Sequence, residues 1–234
     1  MKRKNRFLVF LFAAPVVFFG CYSTEVNDSK NVAQDQIFHK YRLFYNDEAG
    51  EISVEAIFRF GSEKGTTLHL SSPSKIKVNG VELRGDKEFL RGYVYNYDDL
   101  QDNEDHKFTF DFTDYHGKTF KNSLKIHPVS LEKIPEKIKI AEDFSLQVDG
   151  NAPPEERMVC QLIHQDSTNY VITGKLISKD TFLFSAGEMK KMLPGPANFQ
   201  ITMTNFRSLD EISGAGGWMM GRYISKKYPV RILE

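Results

Sequence analysis

Residues able to act as nucleophiles, bases or metal ligands are few and scattered along this 234-residue chain. The six histidines are His39, His69, His106, His116, His127 and His164. None forms His-x-x-x-His or His-Glu-x-x-His, the helical spacings that put two ligands on one zinc. Asp105 beside His106, and Asp114 near His116, read as turn-flanking surface pairs. Cys160 alternates with Met158 and Leu162, so on a strand it shares their face and reads as a small buried hydrophobe. His164 falls on that face too, but four residues along a strand is about 13 Å, too far for a base to reach the thiol. No Gly-x-Ser-x-Gly elbow occurs, and the Gly-rich stretch from Asp210 to Gly217 lacks the Gly-Lys-Ser/Thr that would hold a triphosphate. No catalytic residue and no cofactor is therefore expected.

Two stretches offer binding chemistry instead. The acidic run from Asp98 to Asp105 supplies Asp98, Asp99, Asp102 and Asp105 as candidate calcium ligands. It lacks the Asp-x-Asp-x-Asp-Gly spacing and closing Glu of an EF-hand loop, and a solvated loop between strands is the plainer reading. Trp218-Met219-Met220, flanked by glycines, contains the chain's single tryptophan. Two readings stand for it. Trp218 opens the closing strand and packs into the core, or Trp218, Met219 and Met220 form a hydrophobic or sugar-stacking contact at a sandwich end.

The chain carries 31 basic and 31 acidic residues, but Lys2, Arg3, Lys4 and Arg6 all precede residue 21. Without them 31 − 4 leaves 27 basic against 31 acidic, a net charge of −4. A mildly acidic body gives no electrostatic reason to bind nucleic acid. Aromatic content of 13% excludes a disordered chain, and 16 Gly with 9 Pro is ordinary usage.

The basic start is followed by the apolar run Phe7 to Phe19, 13 residues interrupted by Pro15. That suits a signal-peptide core and is short of the ~20 residues needed to cross a bilayer. Gly20-Cys21 then precedes the polar stretch Tyr22 to Lys30. A small residue before a cysteine at the end of such a run resembles the lipobox of bacterial lipoproteins. The resemblance implies cleavage before Cys21, diacylglycerol and palmitate on its thiol, and a protein anchored to a membrane of the cell envelope. Tyr22, rather than Asp, implies the outer membrane. With Cys21 acylated, Cys160 has no disulfide partner.

Residues 21–36 are polar and are expected to be a tether of roughly 20 Å. Beyond them the pattern has period two, the mark of half-buried strands. Ile52, Val54, Ala56, Phe58 and Phe60 alternate with polar residues, as do Phe108, Phe110 and Phe112. Asn79-Gly80 predicts a two-residue hairpin turn, and Asp114 to Lys118 another turn. Pro128 and Pro135 bracket a connector over 129–136. Strands resume through Leu146, Val148, Cys160, Leu162, Phe182, Phe184, Phe199, Ile201 and Met203. One short helix is predicted after Ser185, with Glu188 completing a capping box. The expected organisation is a leader over 1–20, a tether over 21–36, a sandwich over 37–128, the connector, and a second sandwich over 137–234.

The lipobox-like start, the Asp114-Tyr115-His116-Gly117-Lys118-Thr119-Phe120 hairpin and the segment from Phe182 to Met203 together resemble the two-domain, immunoglobulin-like lipoproteins of Bacteroidota. The resemblance implies an all-β chain of two consecutive immunoglobulin-like sandwiches. The function expected is a non-enzymatic binding or structural module of the envelope. Its partners are the membrane, through the lipid on Cys21, and an envelope protein or glycan. The alternative is a carbohydrate-binding accessory protein or enzyme of surface glycan machinery.

Overall fold

A computed structural model describes residues 24–150, 153, 156–166 and 170–234. The leader, Cys21 with its expected lipid, and most of the turn after Gly150 lie outside the described residues. The first half runs through β1 (Val26–Asp28), β2 (Ile37–Asn46), β3 (Glu51–Phe60), β4 (Thr67–His69), β5 (Lys75–Val78), β6 (Val81–Glu82), β7 (Arg84–Glu88), β8 (Gly92–Tyr97), β9 (Lys107–Thr113) and β10 (Thr119–Lys125). The second half contributes β11 (Ser130–Leu131), β12 (Lys137–Lys139), β13 (Phe144–Asp149), β14 (Arg157–His164), β15 (Val171–Thr173), β16 (Lys175–Leu176) and β17 (Thr181–Phe184). After these come the helix α1 (Ala186–Met189), β18 (Gly195–Ser208), β19 (Gly217–Ile224) and β20 (Tyr228–Leu233). The fold is all-β with immunoglobulin-like sandwich layering, and among the described residues the one α-helix lies in the second half.

Local chemistry sets many of these elements. Asn79 and Gly80 adopt φ of 48° and 84°, the positive values a tight hairpin turn requires. The Asp114 carboxylate accepts from the backbone N–H groups of His116 and Lys118 and so shapes the β9–β10 turn. Ser185 Oγ accepts from the Glu188 N–H and caps α1.

The two sandwiches are not separate bodies. A 12-stranded sheet has the path β1-β4-β3-β2-β19-β18-β14-β15, and β2 pairs in parallel with β19 from Gly217↔His39 to Ile224↔Asn46. Two four-stranded sheets, β10-β9-β5-β6 and β11-β13-β17-β16, cover one face of it. Directly paired residues share a face, so the ladder carries that covered face from Tyr41 through Met219 and Tyr223 to Met203 and Cys160. Tyr41 stacks on Phe110 at 4.9 Å, and Phe58 lies 4.4 Å from Phe112. At the other end Phe199 packs on Phe144 and Phe184, each at 5.5 Å. Between them Gly221 lets Leu124 and Ile126 close down, since a Cβ there would come within 2.8 Å of each.

Two expectations are corrected. Residues 26–36, expected as a free tether, lie against the first sandwich. β1 pairs in parallel with β4, Ser29 is fully buried, and Gln34 Nε2 donates to the carbonyls of Ser29 and Val32. The Gln34 side-chain oxygen Oε1 accepts from the Tyr115 N–H. The buried polar side chains of this stretch, Ser29 and Gln34, are both hydrogen-bonded, as burial requires. The connector over 129–136 is likewise built in: β11 pairs with β13, and Val129 and Leu131 are buried.

Candidate functional site

The uncovered face of the long sheet holds the group of side chains best placed to meet a ligand. Trp218 is the second residue of β19, paired with Lys40 on β2 and with Ser208 on β18. It occupies the strand expected of it, but its side chain is half-buried on the uncovered face and not in the core. Met219 points the opposite way. It is fully buried opposite Tyr41, so it is withdrawn from the candidate contact residues. Met220 returns to the uncovered face, half-buried and paired with both Phe206 and Arg42.

Phe206 is 63% exposed, and its ring centroid lies 5.0 Å from that of Trp218. The two rings form a slanted plate bordered by cations. Lys40 Nζ sits 4.7 Å from the Trp218 ring centroid and the Arg42 guanidinium 5.8 Å from it. Both separations are in the range where the ring quadrupole attracts a cation. Burial lowers the Lys40 ammonium below its ordinary range, with the neighbouring Arg42 charge acting in the same direction. Glu63 partly offsets this from 4.0 Å.

Arg42 is held from behind. Its NH1 bonds Glu55 Oε1 at 3.3 Å, while the other oxygen of Glu55 takes Arg91, which also bonds Glu88 at 2.7 Å. Arg42 Nε is buried with no hydrogen-bond partner among the described residues. Arg222 lies exposed further along the same face. The chemistry on offer is an apolar plate with N–H donors beside it, which suits stacking of a ring whose rim carries hydroxyl or carboxylate groups.

Of these residues sequence reasoning singled out only Trp218 and Met220. Phe206 was detectable: Ala197, Phe199, Ile201 and Met203 are the buried series of β18, and an aromatic at position 206 breaks that parity. Lys40 and Arg42 carried no signal of their own.

The acidic run does not converge. Asp98 and Asp99 line a cavity of about 440 Å³ with Phe44, Asn46, Glu51, Ser53 and Ile224, further along the uncovered face. Asp102 instead accepts from the Tyr45 hydroxyl at 2.9 Å and lies 2.8 Å from His106 Nδ1. Burial, then that carboxylate, push the Tyr45 hydroxyl up to about 12. Asp105 is exposed. Among the described residues no three His, Cys, Asp or Glu side chains are grouped to hold a metal ion, and the structure does not bring Asp98, Asp99, Asp102 and Asp105 together.

Nor do the histidines assemble a nucleophile. His69 pairs with Asp28, His106 with Asp102 and His127 with Glu156. His164 Nδ1 accepts from the Asp166 N–H. Among the described residues no histidine ring is hydrogen-bonded to a serine, threonine or cysteine. Cys160 is free and fully buried, and burial pushes its thiol up to about 12, which suits packing and not attack. His39 is fully buried among Phe58, Phe112 and Phe120 with neither ring nitrogen partnered. Burial drops its imidazole to about 3, so it is neutral.

No protein-family model matches the sequence, and no curated protein matches it. Among solved structures the chain is similar to a three-immunoglobulin-domain fragment of titin, at 14% identity and TM-score 0.21, over 81% of this chain and 65% of that one. It is similar to a bacterial ice-binding adhesin at 13% identity and TM-score 0.22, over 82% and 64% of the two chains. It is also similar to a Bacteroides ovatus protein of a mixed-linkage glucan utilization locus, solved with a mixed-linkage heptasaccharide. That likeness has 8% identity and TM-score 0.20, over 79% and 53%. The chain spans between half and two thirds of each of these. At such TM-scores the likenesses carry nothing about what the uncovered face binds.

Proposed function

We propose that this protein is a non-enzymatic binding module of the bacterial cell envelope, anchored by lipid on Cys21, that takes a saccharide on the uncovered face of its long sheet. The observation that carries the reading is the Trp218–Phe206 plate, 63% exposed at Phe206 and bordered by Lys40 and Arg42. An aromatic pair spared from a core this rich in phenylalanine leaves apolar area in water, which has a use only if something covers it. The sugar's apolar ring face meets the indole, and its hydroxyl or carboxylate groups meet the Lys40 and Arg42 donors.

The test is affinity electrophoresis and glycan-array binding with wild type, Trp218→Ala and Phe206→Ala. Each variant is expected to weaken binding by roughly tenfold or more, as central aromatic anchors do. Binding retained in both variants overturns the site. The anchor is tested separately by labelling cells with a palmitate analogue. Label on wild type and none on Cys21→Ala supports it, and an unlabelled wild type overturns it.

A further inference from the structure

The hairpin between β7 and β8 ends in two side chains that nothing in the fold covers. Phe89 is 89% exposed and Leu90 72%. They form the centre of a turn closed by the Arg91 N–H donating to the Glu88 carbonyl. Leu90 sits at φ 62°, a left-handed conformation that a branched apolar residue seldom adopts and that Gly or Asn would take at less cost. The turn thus presents two large apolar residues outward where small polar ones are the stable choice.

Its position in the fold says what meets it. Gly92 packs so closely on Thr67 that a Cβ there would lie 2.3 Å from Thr67 Oγ1. Thr67 in turn receives the incoming chain, for its N–H and its hydroxyl both donate to the Glu25 carbonyl, at 3.0 and 2.6 Å. The Thr67 hydroxyl oxygen also accepts from the Tyr93 N–H at 3.0 Å. Glu25 is four residues after Cys21 in the sequence. Covalent geometry limits that separation to at most about 14 Å, against the roughly 20 Å of a fifteen-residue free coil. Because residues 26–36 are bound to the sandwich, the point where β1 begins is held close to Cys21.

The same end carries Phe60, the last residue of β3, 42% exposed. The adjoining loop is tied to the hairpin by Arg59, which donates to the carbonyls of Gly65 and Arg91. Exposed Lys64 lies in that adjoining loop, and exposed Lys87 lies on the hairpin with Asp86 and the Arg91–Glu88 ion pair. Large apolar side chains ringed by charged ones of both signs match the interface of a bilayer, acyl chains beneath and headgroups beside them.

We infer that this end of the first sandwich rests on the lipid bilayer, with Phe89 and Leu90 seated among the headgroups beside the lipid on Cys21. The inference rests on the anchor reading above. It means the protein lies against its membrane instead of standing off it, adding a protein contact to the hold of the acyl chains on Cys21.

The test uses the lipidated full chain in vesicles of phosphatidylethanolamine and phosphatidylglycerol, with and without lipids bearing a nitroxide near the headgroup. Phe89→Trp is compared with Ile177→Trp, an exposed position on the second half, and the Trp218 background is subtracted using wild type. Residue 89 is so exposed that the substitution leaves folding intact. The expected result is a blue-shifted emission from position 89 that the nitroxide lipid reduces by roughly half or more, with little change at position 177. Emission at position 89 that stays solvent-like and is quenched no more than at 177 overturns the inference. Palmitate labelling of wild type without quenching at position 89 overturns the membrane contact alone. Quenching at position 89 in an unlabelled protein overturns the lipid anchor alone.

Discussion

Along β19 two adjacent residues meet opposite fates. Met219 is fully buried opposite Tyr41, while Trp218, one residue earlier, lies across Lys40 and beside Phe206 on the uncovered face. The same contrast runs along β2, where His39 and Tyr41 are enclosed by phenylalanines and Lys40 and Arg42 face outward. The covered face is where stability resides and the uncovered face is where binding is assigned. Residue type does not separate them, since the outward face carries a Trp, a Phe and a Met, and the inward face a His.

Exchanging the two faces gives the largest expected effect. Met219→Ala removes a fully buried side chain and is expected to lower the unfolding free energy by about 3 kcal/mol, measured by chemical denaturation. Saccharide affinity, measured where the variant is folded, stays near wild type. Trp218→Ala is expected to do the reverse, changing stability by less than about 1 kcal/mol while binding weakens by roughly tenfold or more. Equal stability losses in the two variants would erase the distinction.

The next effect is set by pH. His39 holds its proton only near pH 3 when folded, against an ordinary histidine value of 6.5. The unfolded chain therefore takes up the proton first as pH falls. Stability attributable to this residue is complete above pH 6.5. Below that it falls by about 1.4 kcal/mol per pH unit until the folded histidine titrates. Denaturation midpoints compared at neutral pH and at pH near 5 should separate wild type from His39→Phe, whose ring keeps the aromatic packing without the titration. A parallel response of the two proteins would place the acid sensitivity elsewhere.

The smallest effect belongs to the outward ion pair. Arg42→Ala leaves Glu55 still bonded to Arg91, so stability is expected to fall by about 1 kcal/mol or less. Its influence is expected on saccharide affinity, and more for acidic sugars than for neutral ones. Identical losses for both kinds would reduce Arg42 to a support for Trp218.

Much of this was legible in the residues. Alternation located the inward series of β3, β9, β14 and β18, Asn79-Gly80 marked its turn, and Ser185 with Glu188 marked the helix start. The parity break at Phe206 pointed to the candidate site for any reader who carried the count past Met203. The bound course of residues 26–36 was not legible. Ser29 and Gln34 are polar in any environment, and only the backbone N–H groups that Ser29 Oγ and Gln34 Oε1 meet, those of Ser71 and Tyr115, show that they are fastened down.

The amino-acid order was enough to give the all-β class, the hairpin turns at Asn79-Gly80 and Asp114–Lys118 and the inward face of Cys160, because each follows from chemistry local to a few residues. It was silent on the neighbour of β19. Period two tells which side chains share a face and says nothing about which strand lies alongside. The parallel pairing of β19 with β2, 217 − 39 = 178 residues apart on the chain at Gly217 and His39, fuses two sandwiches into one sheet. That pairing brings Trp218 to Lys40 and Arg42. Such a ladder is selected by the packing of both covered faces at once, and no local stretch of sequence contains that information.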